Sequence, residues 1–167
     1  MMKKMIAGAL ALVMMMALAA CGSSNGGSDT AKEAPDLTKY YEDFMASLGA
    51  DNAPAMMSAL DDASFVDSFF PGLNDIEMKQ TVLQMAMMAQ VGFELDLVEC
   101  ANAADVETVK EIFQARIDNQ VAGGAFYPAV AESWEKGEII VNGNVVALIV
   151  AGEAQADAVK AFNDLFA

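Results

Sequence analysis

Two positions in this chain carry side chains whose type and setting suggest chemistry. The first is Cys21, preceded by Leu18-Ala19-Ala20 at the end of the apolar run Met5–Ala20, with Lys3 and Lys4 in front of it. The lysines hold the N-terminus on the cytoplasmic side while the apolar run enters the export machinery. As a helix that run would reach only about 24 Å, short of a bilayer core of roughly 30 Å, so it reads as a signal segment rather than a permanent anchor. Ala19 and Ala20 leave room for a peptidase, and the Cys21 thiol is the one nucleophile there able to accept a diacylglyceryl group as a thioether. The expectation is a bacterial lipoprotein signal at residues 1–20, with Cys21 as the lipidated residue. The protein would then be held through that lipid on the outer side of the cytoplasmic membrane. Two acyl chains suffice for stable anchoring, at roughly 0.8 kcal/mol per buried methylene.

The second position is Arg116, the only arginine. It lies four residues from Ile112, three from Phe113 and seven from Val109, which places it on the apolar stripe of a helix. A guanidinium there needs a carboxylate or an exit to solvent. Glu99 is in phase with Phe93, Leu95 and Leu97 at the end of an alternating strand and is a candidate partner. One reading is a structural ion pair or a snorkelling stem. The other is a ligand-anchoring cation in a groove lined by Phe126, Tyr127 and Trp134.

Catalytic inventory is thin. The chain has no histidine, which removes Ser-His and Cys-His pairs and the common zinc sites. Cys100, the thiol left once Cys21 is acylated, follows Glu99 and has no basic neighbour to activate it, so it reads as a buried or tolerated thiol. Asp61-Asp62 and Glu42-Asp43 are adjacent pairs, better read as solvated than as a glycosidase pair. No segment has the calcium-loop spacing, and Gly123-Gly124 opens no phosphate motif and reads as a tight turn between helices. No cofactor is expected.

Charge narrows the partners. The chain carries 24 acidic against nine basic residues, a formal net charge of −15, and loss of Lys3 and Lys4 with the signal deepens the excess by two. Nucleic acid is excluded as a partner, because its affinity rests on Lys and Arg at phosphates. A polybasic membrane patch is excluded on the same ground, leaving the lipid as the attachment.

The elements that must position these residues follow from spacing. Residues 21–35, rich in Gly, Ser, Asn and Asp, read as a flexible tether, and 36–167 as one folded domain. Asp36 is an N-cap for a helix with Leu37, Tyr40, Tyr41, Phe44 and Leu48 on one face and Gly49 as its stop. Asp62–Phe70 suits a short helix ended by Pro71-Gly72. Residues 76–90 are ambiguous: Met, Ala, Gln and Leu favour helix, while Thr81, Leu83, Met85 and Met87 also fit one face of a strand. Phe93, Leu95 and Leu97 alternate with Glu94 and Asp96 as in a half-buried strand. A helix over 105–121 and a short one from Pro128 carrying Trp134 follow. Residues 138–150 make a hairpin turning at Asn142-Gly143, and its second strand, Val145–Val150, is apolar throughout and so central or covered on both faces. A final amphipathic helix carries Val159, Phe162 and Leu165. Tyr40, Tyr41, Phe65, Phe69 and Phe70 read as core, as do Met85, Met87 and Met88, although a methionine-rich face also suits a partner protein.

Phe70-Pro71-Gly72-Leu73 with Asp75-Ile76-Glu77, Ile112–Asp118, Gly123-Gly124-Ala125-Phe126-Tyr127-Pro128 and Asn142-Gly143-Asn144 together resemble a family of small Gram-positive lipoproteins carrying one domain of unknown function. The chain departs from that pattern at Phe126, where a tryptophan is expected, and at Val145, where an aromatic is. The resemblance implies a strand over 78–89 hairpinned to 92–100, and it supplies no catalytic residues. The expected fold is therefore α+β, a leading helix plus a two-layer ββαββα domain with a largely antiparallel four-stranded sheet. The expected role is a non-catalytic binding or cell-envelope accessory domain with a possible envelope protein partner. A small-molecule binding lipoprotein ranks second, and an enzyme of unrecognised class third.

Overall fold

The computed structural model describes residues 34–167. The expected signal segment 1–20, Cys21 and nearly all of the tether 21–35 lie outside the described residues.

Helix α1, Leu37–Asn52, starts where Asp36 accepts the Lys39 backbone N–H at 2.9 Å, the side-chain cap that an orphan N-terminal donor requires. It is followed by strand β1 (Met57–Ala59), helix α2 (Ala63–Phe69), strands β2 (Met78–Ala86) and β3 (Glu94–Cys100), and helices α3 (Val106–Asn119) and α4 (Pro128–Glu135). Strands β4 (Glu138–Asn142) and β5 (Val145–Val150) and helix α5 (Gln155–Asp164) complete the order. The strands form one antiparallel sheet in the order β1-β2-β3-β5-β4.

The α+β class, the leading helix and the ββαββα order hold. The sheet differs from the expected four strands by β1, a three-residue edge strand paired with Gln84–Ala86 and too short to show an alternation in sequence. The layering differs as well, because helices cover both faces. On one face α1 and α5 close over Val82, Leu95, Leu97, Val145, Ala147 and Ile149, with Tyr40 and Phe162 packed edge to face at 5.6 Å. The Tyr40 hydroxyl donates to the Ala158 carbonyl at 3.0 Å and ties α1 to α5. On the other face α2, α3 and α4 close over Leu83, Met85, Val98, Cys100, Val146 and Leu148, with Phe70 against Phe113 at 5.7 Å.

Strand β2 settles the ambiguity of residues 76–90 in favour of a strand. Propensity pointed to helix, but Val82 fills one core and Leu83 and Met85 the other, and that burial outweighs a few tenths of a kcal/mol per residue of helix preference. Strand β3 was read as half-buried, and here the structure corrects the reading. Every residue from Glu94 to Cys100 is buried, including both acids of its polar phase. The β2–β3 hairpin also packs tightly on α4: a Cβ at Gly92 would stand 2.7 Å from that of Ser133, which leaves room only for glycine. The β4–β5 turn falls one residue later than expected: Asn142 pairs with Val145, so Gly143 and Asn144 form the two-residue loop, and only Gly143, at φ +59°, is left-handed, unlike the expected type I′ turn. Among the described residues no helix is long and apolar enough to cross a membrane.

Candidate functional site

The site is built where β3 presents its polar phase to α3. Period two sends Phe93, Leu95 and Leu97 to the α1/α5 core and Glu94 and Asp96 to the α3 side. Arg116, one turn before the end of α3, meets Glu94 there. Its Nε donates to Oε1 at 2.9 Å and its Nη2 to Oε2 at 2.7 Å, a two-pronged pair in which both residues are buried. The guanidinium carbon lies 5.0 Å from the ring centres of both Phe69 and Trp134, and 5.9 Å from that of Phe70. Aromatic faces thus supplement the carboxylate in offsetting the lost hydration of a buried cation.

The partner of Arg116 is Glu94 and not the expected Glu99. Phase explains the difference: Glu99 shares its face with Leu95 and Leu97, whereas α3 packs on the other side of the sheet. Glu99 instead takes Lys79 at 3.4 Å and accepts a 2.7 Å hydrogen bond from Gln80.

Asp96 is the third member and was missed. It is wholly buried; Oδ1 accepts the Gln84 backbone N–H at 3.2 Å, while Oδ2 has no conventional partner among the described residues. Burial, and next the charge of Glu94, hold its carboxyl well above the usual carboxylate range, against a smaller opposing pull from Arg116. Glu94, two residues away on the same face of β3, is the acid whose charge adds to this rise. Burial works against the charge of Arg116, but the hydrogen bonds and charge of Glu94 prevail and its pKa is raised. The signal available in the sequence was a second acid two residues from the first on a strand flanked by hydrophobic elements.

Above this trio opens a groove of about 270 Å³, floored by Arg116 and Glu94 and walled by Phe69, Met85, Met87, Met88, Phe126, Val130 and Trp134. Its rim is apolar and open. Phe126 is 83% exposed, Met87 56%, and Met88 and Tyr127 lie at the boundary of exposure. The readings of Met87 and Met88 as core are thereby corrected, since both sit on the turn of the β2–β3 hairpin and face outward; Met85 is buried. Phe65 is likewise exposed and Phe69 half-buried. Among the residues foreseen for a groove, Phe126 and Trp134 line it, and Trp134 does so from within the core at 3% exposure. Tyr127 stands beside it, edge to face with Phe126 at 5.4 Å and accepting a 3.2 Å hydrogen bond from Gln90. Glu99 does not reach it.

The α3–α4 connection delivers Phe126 to the rim. In place of a tight turn, Gln120–Gly124 forms a single wide π-turn, closed by the Ala125 N–H on the Gln120 carbonyl at 2.9 Å. Such turns recur where a helix end is reshaped beside a site. Arg116 Nη1 has no hydrogen-bond partner among the described residues and is not sealed off, which leaves one donor for a visiting acceptor. The thiol of Cys100 is buried in the core below, its pKa pushed up by burial and then by Asp105. Among the described residues no group of three His, Cys, Asp or Glu is placed to hold a metal ion. The arrangement is suited to holding an apolar group beside one hydrogen-bond donor.

Residues 50–151 match the family described as "Domain of unknown function (DUF4358)". No curated protein and no solved structure matches the chain.

Proposed function

The chain belongs to the DUF4358 family of domains of unknown function, and on that premise we propose that it is a non-catalytic binding domain, lipid-anchored through Cys21 at the outer face of a Gram-positive cytoplasmic membrane. Its groove beside Arg116 receives an apolar side chain of an envelope protein. The address is supported by Leu18-Ala19-Ala20-Cys21 behind a basic and then apolar start. The binding role is supported chiefly by Phe126, a large aromatic 83% exposed on the rim of a methionine-walled groove. A side chain of that size left in water favours a protein partner, and flexible thioethers can repack around one.

A small-molecule ligand is the second reading, favoured by the free Nη1 donor of Arg116. The two readings separate in one experiment. A photo-crosslinking residue at position 126, and as a control at the exposed Val141 on the far sheet edge, is irradiated in native membranes. The expected result is a discrete protein adduct from position 126 and none from 141. No adduct at 126, together with a small molecule recovered from the purified protein whose removal lowers Tm, would overturn the protein-partner reading. Mass spectrometry of the mature N-terminus tests the address: a free Cys21 or a retained 1–20 segment would overturn it.

A further inference from the structure

A second groove, of about 440 Å³, lies at the opposite side of the β2–β3 hairpin's base, independent of the first. Its floor is an unfinished sheet edge. β1 pairs only with Gln84–Ala86, and one further bond, Leu60 N–H to the Leu83 carbonyl at 3.0 Å, ends the ladder before the chain turns into α2. Alternation then fixes where the next backbone groups point. The Ala86 N–H bonds to Phe93 on the β3 side, whereas Met87 bonds to Met56 and Leu83 to Leu60 on the β1 side. Two residues on, Thr81 therefore turns its N–H and C=O to the β1 side, where neither has a partner among the described residues.

Proteins commonly guard such an edge with lysine. The lysine here, Lys79, sits at the irregularity between Met78 and Gln80 and is drawn to Glu99 on the neighbouring strand. The slot is walled by α1 on one side, through Tyr41 and Glu42, and by Asp61 and Val66 on the other. Apolar surface thus lies on both sides of the sheet plane, as an added strand with alternating side chains requires. The two charged groups lining the slot, Glu42 and Asp61, are both acidic and both exposed, on a chain of net charge −15.

We propose that this slot is a second docking site, in which a basic, extended segment of a partner protein adds as a strand to the free edge of β2 at Thr81. The main-chain groups of Thr81 hold the segment. Tyr41 and Val66 take its apolar side chains, and Glu42 and Asp61 its basic ones.

The test is fluorescence anisotropy with the full chain in detergent and a short, end-blocked peptide of repeating Lys-Lys-Val-Val, which as a strand presents both residue types on each face. Saturable binding is expected, weakened about tenfold or more by Thr81→Pro, which removes an N–H that the fold does not use. The same loss is expected for the Glu42→Lys/Asp61→Lys double variant. A peptide of the same sequence with its central amides N-methylated should not bind. Equal binding of the N-methylated peptide, absence of binding by the unmodified one, or a folded Thr81→Pro that binds as well as the parent would each overturn the proposal. The N-methylated peptide decides the matter even where Thr81→Pro does not fold.

Discussion

The two faces of the sheet are covered by the same kind of element and do opposite work. Against α1 and α5 the contacts are almost wholly apolar, closed by the Tyr40–Phe162 contact and the Tyr40–Ala158 hydrogen bond. Against α3 and α4 the same strand, β3, contributes Glu94 and Asp96, and the packing opens into a groove at its end. The first face rests mainly on complementary shape, its one buried acid, Glu99, being met at the rim by Gln80 and the exposed Lys79. The second holds a charge pair whose removal from water costs several kcal/mol per ion unless each partner is met, so it tolerates far less change. A domain divided this way can keep its stability on one face while the other carries a binding surface.

The largest effect is expected from Arg116→Ala, which leaves the Glu94 carboxylate buried and alone. A loss of about 3–5 kcal/mol in denaturant unfolding is expected, with the Arg116→Met/Glu94→Leu double replacement recovering most of it. A loss under 1 kcal/mol for the single variant would erase the distinction between the faces. On the apolar face Phe162→Ala should cost about 3 kcal/mol by cavity formation, and binding at the groove should persist in whatever fraction remains folded. A selective loss of groove binding without a loss of stability would show that the faces are coupled.

Asp96 sharpens the contrast through pH. Its folded pKa is raised above the ordinary 3.8, so the native state holds a proton that the unfolded chain releases. The associated stability is complete below that ordinary value and is lost as pH rises toward the folded pKa. Asp96→Asn keeps an acceptor for the Gln84 N–H and removes the titrating carboxyl, and should flatten the fall in Tm as pH rises from acid toward neutral. A parallel fall in the variant would place the titration elsewhere. The smallest effect on stability, within about 0.5 kcal/mol, is expected for the exposed Phe126→Ser, which should nevertheless abolish partner adducts from a crosslinker placed at Met87.

Legibility in the sequence tracked how one-sided each element is. α1 and the β4–β5 hairpin carry local signals, an Asp36 cap and a glycine at the turn, that specify the elements without reference to the rest, although the loop proved to be Gly143-Asn144 and not Asn142-Gly143. β2 has residues inward on both faces, so its alternation was hidden and its Met and Gln content favoured helix. The expectation of a strand there came from the family resemblance. Arg116 stood out because a cation on an apolar helix stripe must be answered. Which acid answers it depended on the face on which α3 packs, and a strand buried on both sides gives no local sign of that. Met87 and Met88 looked like core by composition, and only the hairpin turn that carries them outward shows otherwise.

The central place of β5 also bears on how the sheet is assembled. Val145–Val150 pairs with β3 and β4, is buried throughout, and lies late in the sequence. Its six β-branched or aliphatic residues, with no charge and no proline, have the makeup of a steric-zipper segment. Until they emerge, β3 has an unfilled edge, and the β2–β3 hairpin and α3 cannot be joined to the last hairpin. Closure across roughly fifty residues makes this a slow, non-local step. A chain stopped short of Val145 would therefore present the open edge of β3 to whatever strand came next, including that of another copy, and aggregation rather than a smaller folded domain is the expected fate of such a fragment.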